Sequence, residues 1–160
     1  MRALTPSGLV SLAITPGDTA PNPGFAAVAW STVVSGVVWW NGTSWQHHPW
    51  DAQVFYPGKP TASAFALRIA SVRTVRFPAN FTNSLAIASA AATASTVFQI
   101  LKNGSSIGTI TFGVGATTGT FASSGGVAQS IASGDILAIQ APASPDATLA
   151  DIGITITGTR

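Results

Sequence analysis

The sequence contains no cysteine and no glutamate, and it carries very little charge of either sign. The missing cysteine excludes a disulfide scaffold, a zinc knuckle and a thiol nucleophile, and leaves the redox compartment open. Charged residues make up 8% of the chain, against about 25% in average soluble proteins. All five acidic residues are Asp, only two residues are Lys, and Gly and Pro number 16 and 10. Such a composition lacks the usual solvent-facing helix formers and excludes a helical bundle. The net charge is +2, so the isoelectric point near 9.7 reflects scarcity of charge rather than a basic surface. A chain of this kind cannot neutralise a run of phosphates, and no nucleic-acid partner is expected. Long hydrophobic runs are missing as well. The longest near-apolar stretch, 25–40, has 16 residues and is interrupted by Ser31, Thr32, Ser35 and Gly36. That is short for a spanning helix, so no membrane insertion is expected. Pro6 and Gly8 break the kind of apolar run that a signal peptide needs.

What the chain does have is organised in three parts. Residues 1–24 hold Pro6, Pro16, Pro21 and Pro23 with Gly8, Gly17 and Gly24. Their fixed φ values and missing donors predict an extended N-terminal arm with little core of its own. Residues 25–60 contain all five tryptophans, Trp30, Trp39, Trp40, Trp45 and Trp50, and read as a Trp-rich hairpin module. After the Tyr56-Pro57-Gly58-Lys59-Pro60 punctuation, residues 61–160 lose Trp altogether and become rich in Ala, Thr and Ser with frequent turn signals.

Two hairpins are predicted from Asn-Gly pairs, because both residues tolerate the positive φ of a two-residue turn. With Asn41-Gly42 as the turn, Val38 faces Trp45. With Asn103-Gly104 as the turn, Ile100 faces Ile107 and Val97 faces Ile110. Period-two patterning predicts further strands at Phe65-Leu67-Ile69, Val75-Phe77, 136–141 and Ile152-Ile154-Ile156. The Ala-rich stretch 86–94, with six Ala, is read as strand and loop because Thr and Ser interrupt it and no caps flank it. Short strands separated by Gly and Pro describe an all-β antiparallel sandwich of jelly-roll type, preceded by the arm and the hairpin module.

Several spaced segments carry a family resemblance. Phe77-Pro78-Ala79-Asn80-Phe81, Lys102-Asn103-Gly104-Ser105-Ser106-Ile107-Gly108-Thr109-Ile110, Gly134-Asp135-Ile136-Leu137 and Ala141-Pro142 occur in order. They are followed by Asp146-Ala147-Thr148-Leu149-Ala150-Asp151-Ile152 and Gly158-Thr159-Arg160. Over roughly residues 75–160 the chain resembles the C-terminal domain of tailed-bacteriophage tail and tail-fibre proteins. The Trp40-Asn41-Gly42-Thr43-Ser44-Trp45 segment is similar to the W-x-G-x-x-W hairpins of phage tail proteins. The resemblance implies a non-enzymatic virion component, homotrimeric, on the tail or particle surface and involved in host attachment. The arm would contact other virion proteins, and a host surface glycan is the outside candidate. The long repetitive shaft of such fibres is missing, which keeps a tip, adaptor or capsid decoration (cement) protein open. A free-standing carbohydrate-binding module using exposed Trp is the reading from another class. The uncharged stretches 19–50 and 103–134 call for dense packing or a partner surface.

Candidate contacts follow from side-chain chemistry. Trp39, Trp40, Trp45 and Trp50 either form the core of the hairpin module or stack on sugar rings and anchor an interface. Neighbours on a strand, Trp39 and Trp40 point to opposite faces, so one of them meets a second layer, a subunit or a ligand. Arg68, Arg73 and Arg76 are the clustered cations, either solvated and paired with Asp or facing an anionic glycan. Other patterns read blandly. His47, His48 and Asp51 diverge along a strand and are not expected to bind metal. Asp135, Asp146 and Asp151 could supply oxygen ligands to calcium, but Gly134 and Pro145 place the first two in ordinary turns. Gly104-Ser105-Ser106-Ile107-Gly108 matches G-x-S-x-G but sits on a hairpin with both His upstream, so no catalytic nucleophile is expected. Gly113-Val114-Gly115-Ala116-Thr117-Thr118-Gly119 reads as a flexible loop. No pair of Asp residues suggests glycosidase chemistry. No catalytic residue, metal or cofactor is expected.

Overall fold

A computed structural model describes residues 13–14, 28–31, 36–40 and 43–160, and the chain divides into two compact units, 1–48 with Arg160, and 49–159. The first unit is a small sheet in the order β1-β2-β3-β4, with β1 Ala13–Ile14, β2 Val28–Ser31, β3 Gly36–Trp40 and β4 Trp45–Gln46. β1 runs parallel to β2 and the other pairs are antiparallel. Of the arm expected over 1–24, only Ala13–Ile14 falls among the described residues, and it is paired into this sheet.

The first hairpin differs from expectation. Trp40 lies opposite Trp45, and Trp39 opposite Gln46, so Val38 does not face Trp45. The connection is four residues, 41–44, rather than two. This register sets the two indole rings edge to face at 5.6 Å, an arrangement worth about 1 kcal/mol beyond the area it buries.

The second unit is built from antiparallel strands: β5 Pro49–Tyr56, β6 Phe65–Ala70, β7 Val75–Phe77, β8 Leu85–Ala90, β9 Thr96–Lys102, β10 Ser105–Phe112, β11 Thr120–Ser123, β12 Gln129–Ile131, β13 Ile136–Gln140 and β14 Ala150–Thr159. One sheet has the order β11-β10-β9-β13-β6; the other runs β12-β7-β14-β5, with β8 also paired to β14. The chain is therefore all-β with antiparallel sheets in this unit, and the Ala-rich segment is a strand. Beyond β8 the segment 116–119 extends the second sheet: Ala88 N donates to Thr117 O at 2.8 Å and Gly119 N to Ala86 O at 2.9 Å. The chain then crosses to β11 in the first sheet at Gly119. A Cβ there would sit 2.8 Å from Ile110 Cγ2 and 3.0 Å from Ala86 Cβ, so only glycine makes this corner.

Alternation places the core. Phe98, Ile100, Ile110, Phe112, Leu137 and Ile139 face inward from the first sheet; Val75, Phe77, Ile152, Ile154 and Ile156 face them from the second. Each such side chain contributes about 1.5–3 kcal/mol through burial. The boundary expected after residue 60 falls earlier, because β5 pairs along its whole length with β14, from Tyr56 opposite Ile152 to Pro49 opposite Thr159. Its partner lies far down the chain, so local composition assigned β5 to the wrong unit.

The Asn103-Gly104 turn is present, with φ of 50° and 87°. Ser105 faces Lys102 and Ser106 faces Leu101 as expected. A bulge at Ile107 then shifts the register, so that Ile100 faces Gly108 and Phe98 faces Ile110. The extra residue turns Gly108 toward the core under Phe81, where a side chain would not fit.

Candidate functional site

The outer face of the second sheet is the most distinctive surface of unit 49–159. Along β5 the outward positions are Asp51, Gln53 and Phe55; along β14 they include Gly153, Thr155 and Thr157; along β8, Leu85 and Ile87. Strand register aligns them in rows. Phe55, Gly153, Ile87 and Thr118 form one row, and Gln53, Thr155 and Leu85 the next. Phe55, Leu85 and Ile87 are 63%, 50% and 49% exposed. Between them Gly153 forms the floor of a trough: a Cβ added there would meet nothing closer than Ile87 O at 3.9 Å. The inversion in β8 produces this surface. Its small residues, Ala86 and Ala88, face the crowded core, so its large ones point out. The outer face of the other sheet is more polar, presenting Gln99, Gln140, Thr109 and Thr111 as half-exposed groups, with the exposed Phe65 at its β6 edge.

The loops are held by carboxylates. Asp146 Oδ2 accepts from Thr93 N (3.1 Å), Thr93 Oγ1 (2.7 Å) and Ala94 N (2.8 Å). Its Oδ1 accepts from Thr148 Oγ1 (2.5 Å), Thr148 N (2.8 Å) and Leu149 N (2.8 Å). Six donors, the Thr148 hydroxyl foremost, hold this buried carboxyl far below the usual carboxylate range. Asp135 accepts from Ala132 N and from Asn103 Nδ2, both at 2.7 Å, and pairs with Lys102 Nζ at 3.1 Å. The Ala132 amide first, then Asn103 and Lys102, lower it to about 2. Asp151 Oδ1 accepts from Gly58 N at 2.7 Å. The three carboxylates thus serve three separate loops and form no calcium cluster. Among the described residues no group of three or more potential metal ligands exists, His47, His48 and Asp51 included.

The residues singled out from sequence scatter. Trp39 is 37% exposed with its ring edge-on to His48 at 5.3 Å. Trp40 and Trp45 are half-buried against each other. Trp50 belongs to β5 and packs on Phe77 at 5.8 Å against the sandwich core, so it is a packing residue rather than an exposed contact. Arg68 lies over the Phe65 ring at 5.3 Å on the edge strand β6. Arg76 is on β7 in the opposite sheet, and Arg73 in the loop between. The arginines therefore make no common patch. Ser106 Oγ donates to Gln99 Oε1 at 2.8 Å across the hairpin. The glycine-rich segment 113–119 is pinned rather than flexible, with Gly115 N donating to Ala92 O at 2.7 Å.

Sequence reasoning missed the Phe55–Gly153–Ile87 face and the reach of Asp146. The signal for the face was legible in Leu85-Ala86-Ile87-Ala88, where alternation of large and small residues leaves open which set is inside. No family model matches this chain, and neither a curated protein nor a solved structure matches it.

Proposed function

We propose that this chain is a non-enzymatic structural component of a tailed-phage virion, a tail-fibre or tail-tip protein that contributes to host attachment as a homotrimer. The sandwich is read as a jelly roll. Support comes from the strand order: β5-β14-β8 and the 116–119 segment oppose β6-β13-β9-β10, the eight-stranded arrangement of two interlocked Greek keys. β7, β11 and β12 are short additions to it.

One observation carries the functional reading. β5 begins and β14 ends side by side, Pro49 opposite Thr159, so the unit is held from one end. At the other end the loops 57–64, 91–95, 113–116 and 141–149 are tied to one another. Ser63 N donates to Pro142 O at 3.0 Å, Ala92 N to Ala116 O at 3.3 Å, and Thr93 N to Asp146. A domain tethered at one end that presents a rigid, nearly uncharged crown at the other suits the outer tip of an assembly. The crown, rather than the scattered tryptophans and arginines, is the surface that would meet the host.

The test is gold-labelled antibody against residues 49–159, applied to intact virions that carry the coding sequence. Label at the tail end supports the reading. Label over the head assigns the chain to capsid decoration, and unlabelled particles refute both.

A further inference from the structure

We infer that the outer face of β5, β14 and β8 is where a second copy of this chain docks, with the Phe55 ridge of one copy seated in the Gly153 trough of the next. This rests on the proposed assembly and names its contact surface.

Three observations select a like copy as the occupant. The face carries ridge and trough together: Phe55 and Ile87 flank Gly153 in one row, so each copy offers both halves of the contact. Self-association then needs no second protein. The face is also nearly free of charge. Its ionisable groups lie at the two ends: Asp51, beside Thr157, with Arg76 of the adjoining β7 opposite Thr159 at one, and Asp151, whose Oδ1 is taken by Gly58 N, at the other. Two copies therefore meet without like charges in the centre, while Gln53, Thr155 and Thr118 give the rim hydrogen-bonding capacity. Asp51 and Arg76 share one end of the sheet, so no block of one sign is offered to an acidic or basic partner. The extent is sufficient as well. Strands of eight, ten and six residues with the four-residue 116–119 segment, at about 3.4 Å per residue and about 4.8 Å spacing, give roughly 450 Å² of flat face. Side-chain relief brings this toward the ~800 Å² per partner of a standard interface. The opposite sheet presents mainly Gln and Thr; its one exposed aromatic, Phe65 on the edge strand β6, lies under the Arg68 guanidinium and faces no trough of its own.

The contact is heterologous, ridge into trough, and closes into a ring when the rotation between copies allows. The experiment is solution mass by light scattering together with sedimentation equilibrium on the full chain. Three variants are compared with the parent: Phe55→Asp, Ile87→Asp and Gly153→Leu. All three positions point away from the core, and Gly153 has ordinary negative φ and open space above it, so the fold is retained; a thermal melt checks this. The parent is expected as a multiple of 16.2 kDa. Each variant is expected to weaken association by about thirtyfold or more, the scale of one central anchor. Gly153→Leu is the sharpest arm, because it adds apolar surface yet fills the trough. A parent that remains monomeric at all concentrations overturns the inference, as do variants that associate as well as the parent while folded. A dimer that the variants dissociate supports this surface and refutes the trimer of the proposed assembly.

Discussion

Gly108 offers a direct test of how the bulge at Ile107 and the core are coupled. The shifted register turns Gly108 inward, where a Cβ would lie 2.5 Å from Phe81 Cε2 and 2.6 Å from Ala122 O. The ring can rotate, but the carbonyl is part of the β10–β11 ladder, where Gly108 faces Ser123. Relief therefore requires the two strands to separate locally. Overpacking of this kind costs typically 1–3 kcal/mol, and a backbone obstacle puts Gly108→Ala near the top, at about 3 kcal/mol. In a domain of this size that lowers the melting temperature by roughly 12 °C. Gly113→Ala is the matched control, since a Cβ there meets nothing within 4 Å and φ is not positive; it is expected to be neutral or slightly stabilising. Gly104→Ala, with open space but φ of +87°, should fall between them, at about 1 kcal/mol. Urea unfolding followed by tryptophan fluorescence reads all three. Equal midpoints for Gly108→Ala and Gly113→Ala would mean that Gly108 does not face Phe81, and the bulged register would fall with it.

Three further outcomes are expected. Asp135 and Asp146 have folded-state values below the ordinary 3.8, so the folded chain binds fewer protons than the unfolded one. Their contribution is complete above about pH 5 and is lost as pH falls, for Asp135 through about 2. Denaturation midpoints measured from pH 6 to 2 should drop below about pH 4, and Asp146→Asn should flatten that drop. The edge-to-face Trp40–Trp45 pair should give an exciton couplet in circular dichroism that either Trp40→Phe or Trp45→Phe abolishes, while Trp50→Phe leaves it intact. Removing the exposed stacking of Arg68 on Phe65 by Arg68→Ala should cost about 0.5–1 kcal/mol in urea unfolding, and no change would mean that the pair does not form in solution.

The elements most legible in the sequence were those whose information is local. Ile152, Ile154 and Ile156 alternate with small residues and form the inward row of β14, and Asn103-Gly104 makes the turn its φ preferences demand. Registers were less legible, because they answer to packing across the sheet. Gly108 must pass under Phe81, which inserts a bulge that no turn signal announces. Trp40 opposite Trp45 lengthens the first connection to four residues. The unit boundary was hidden for the same reason: β5 looks like its tryptophan-rich neighbours but pairs with a strand from the other end of the chain. Asp146 was recognisable as a turn aspartate, yet its donors at Thr93 and Ala94 come from a different loop. The candidate docking face was the least legible, since Leu85 and Ile87 look like core residues until Ala86 and Ala88 are seen to occupy the core.

The placement of β14 also bears on how the unit is made. Synthesised after every other strand of the sandwich, it inserts between β5 and β8. Until Ala150–Thr159 has emerged, β5 lacks its pairing partner, β8 lacks one too, and the inward row of Ile152, Ile154 and Ile156 is missing from over Phe98 and Phe112. Folding must wait for a long-range closure, which makes it slow for a chain of this length. A chain cut short before Ala150 keeps two adhesive strand edges and an uncovered core, the features that lead to aggregation and clearance. The last strand thereby acts as a completeness check, so that only a chain carried through it can bury its edges.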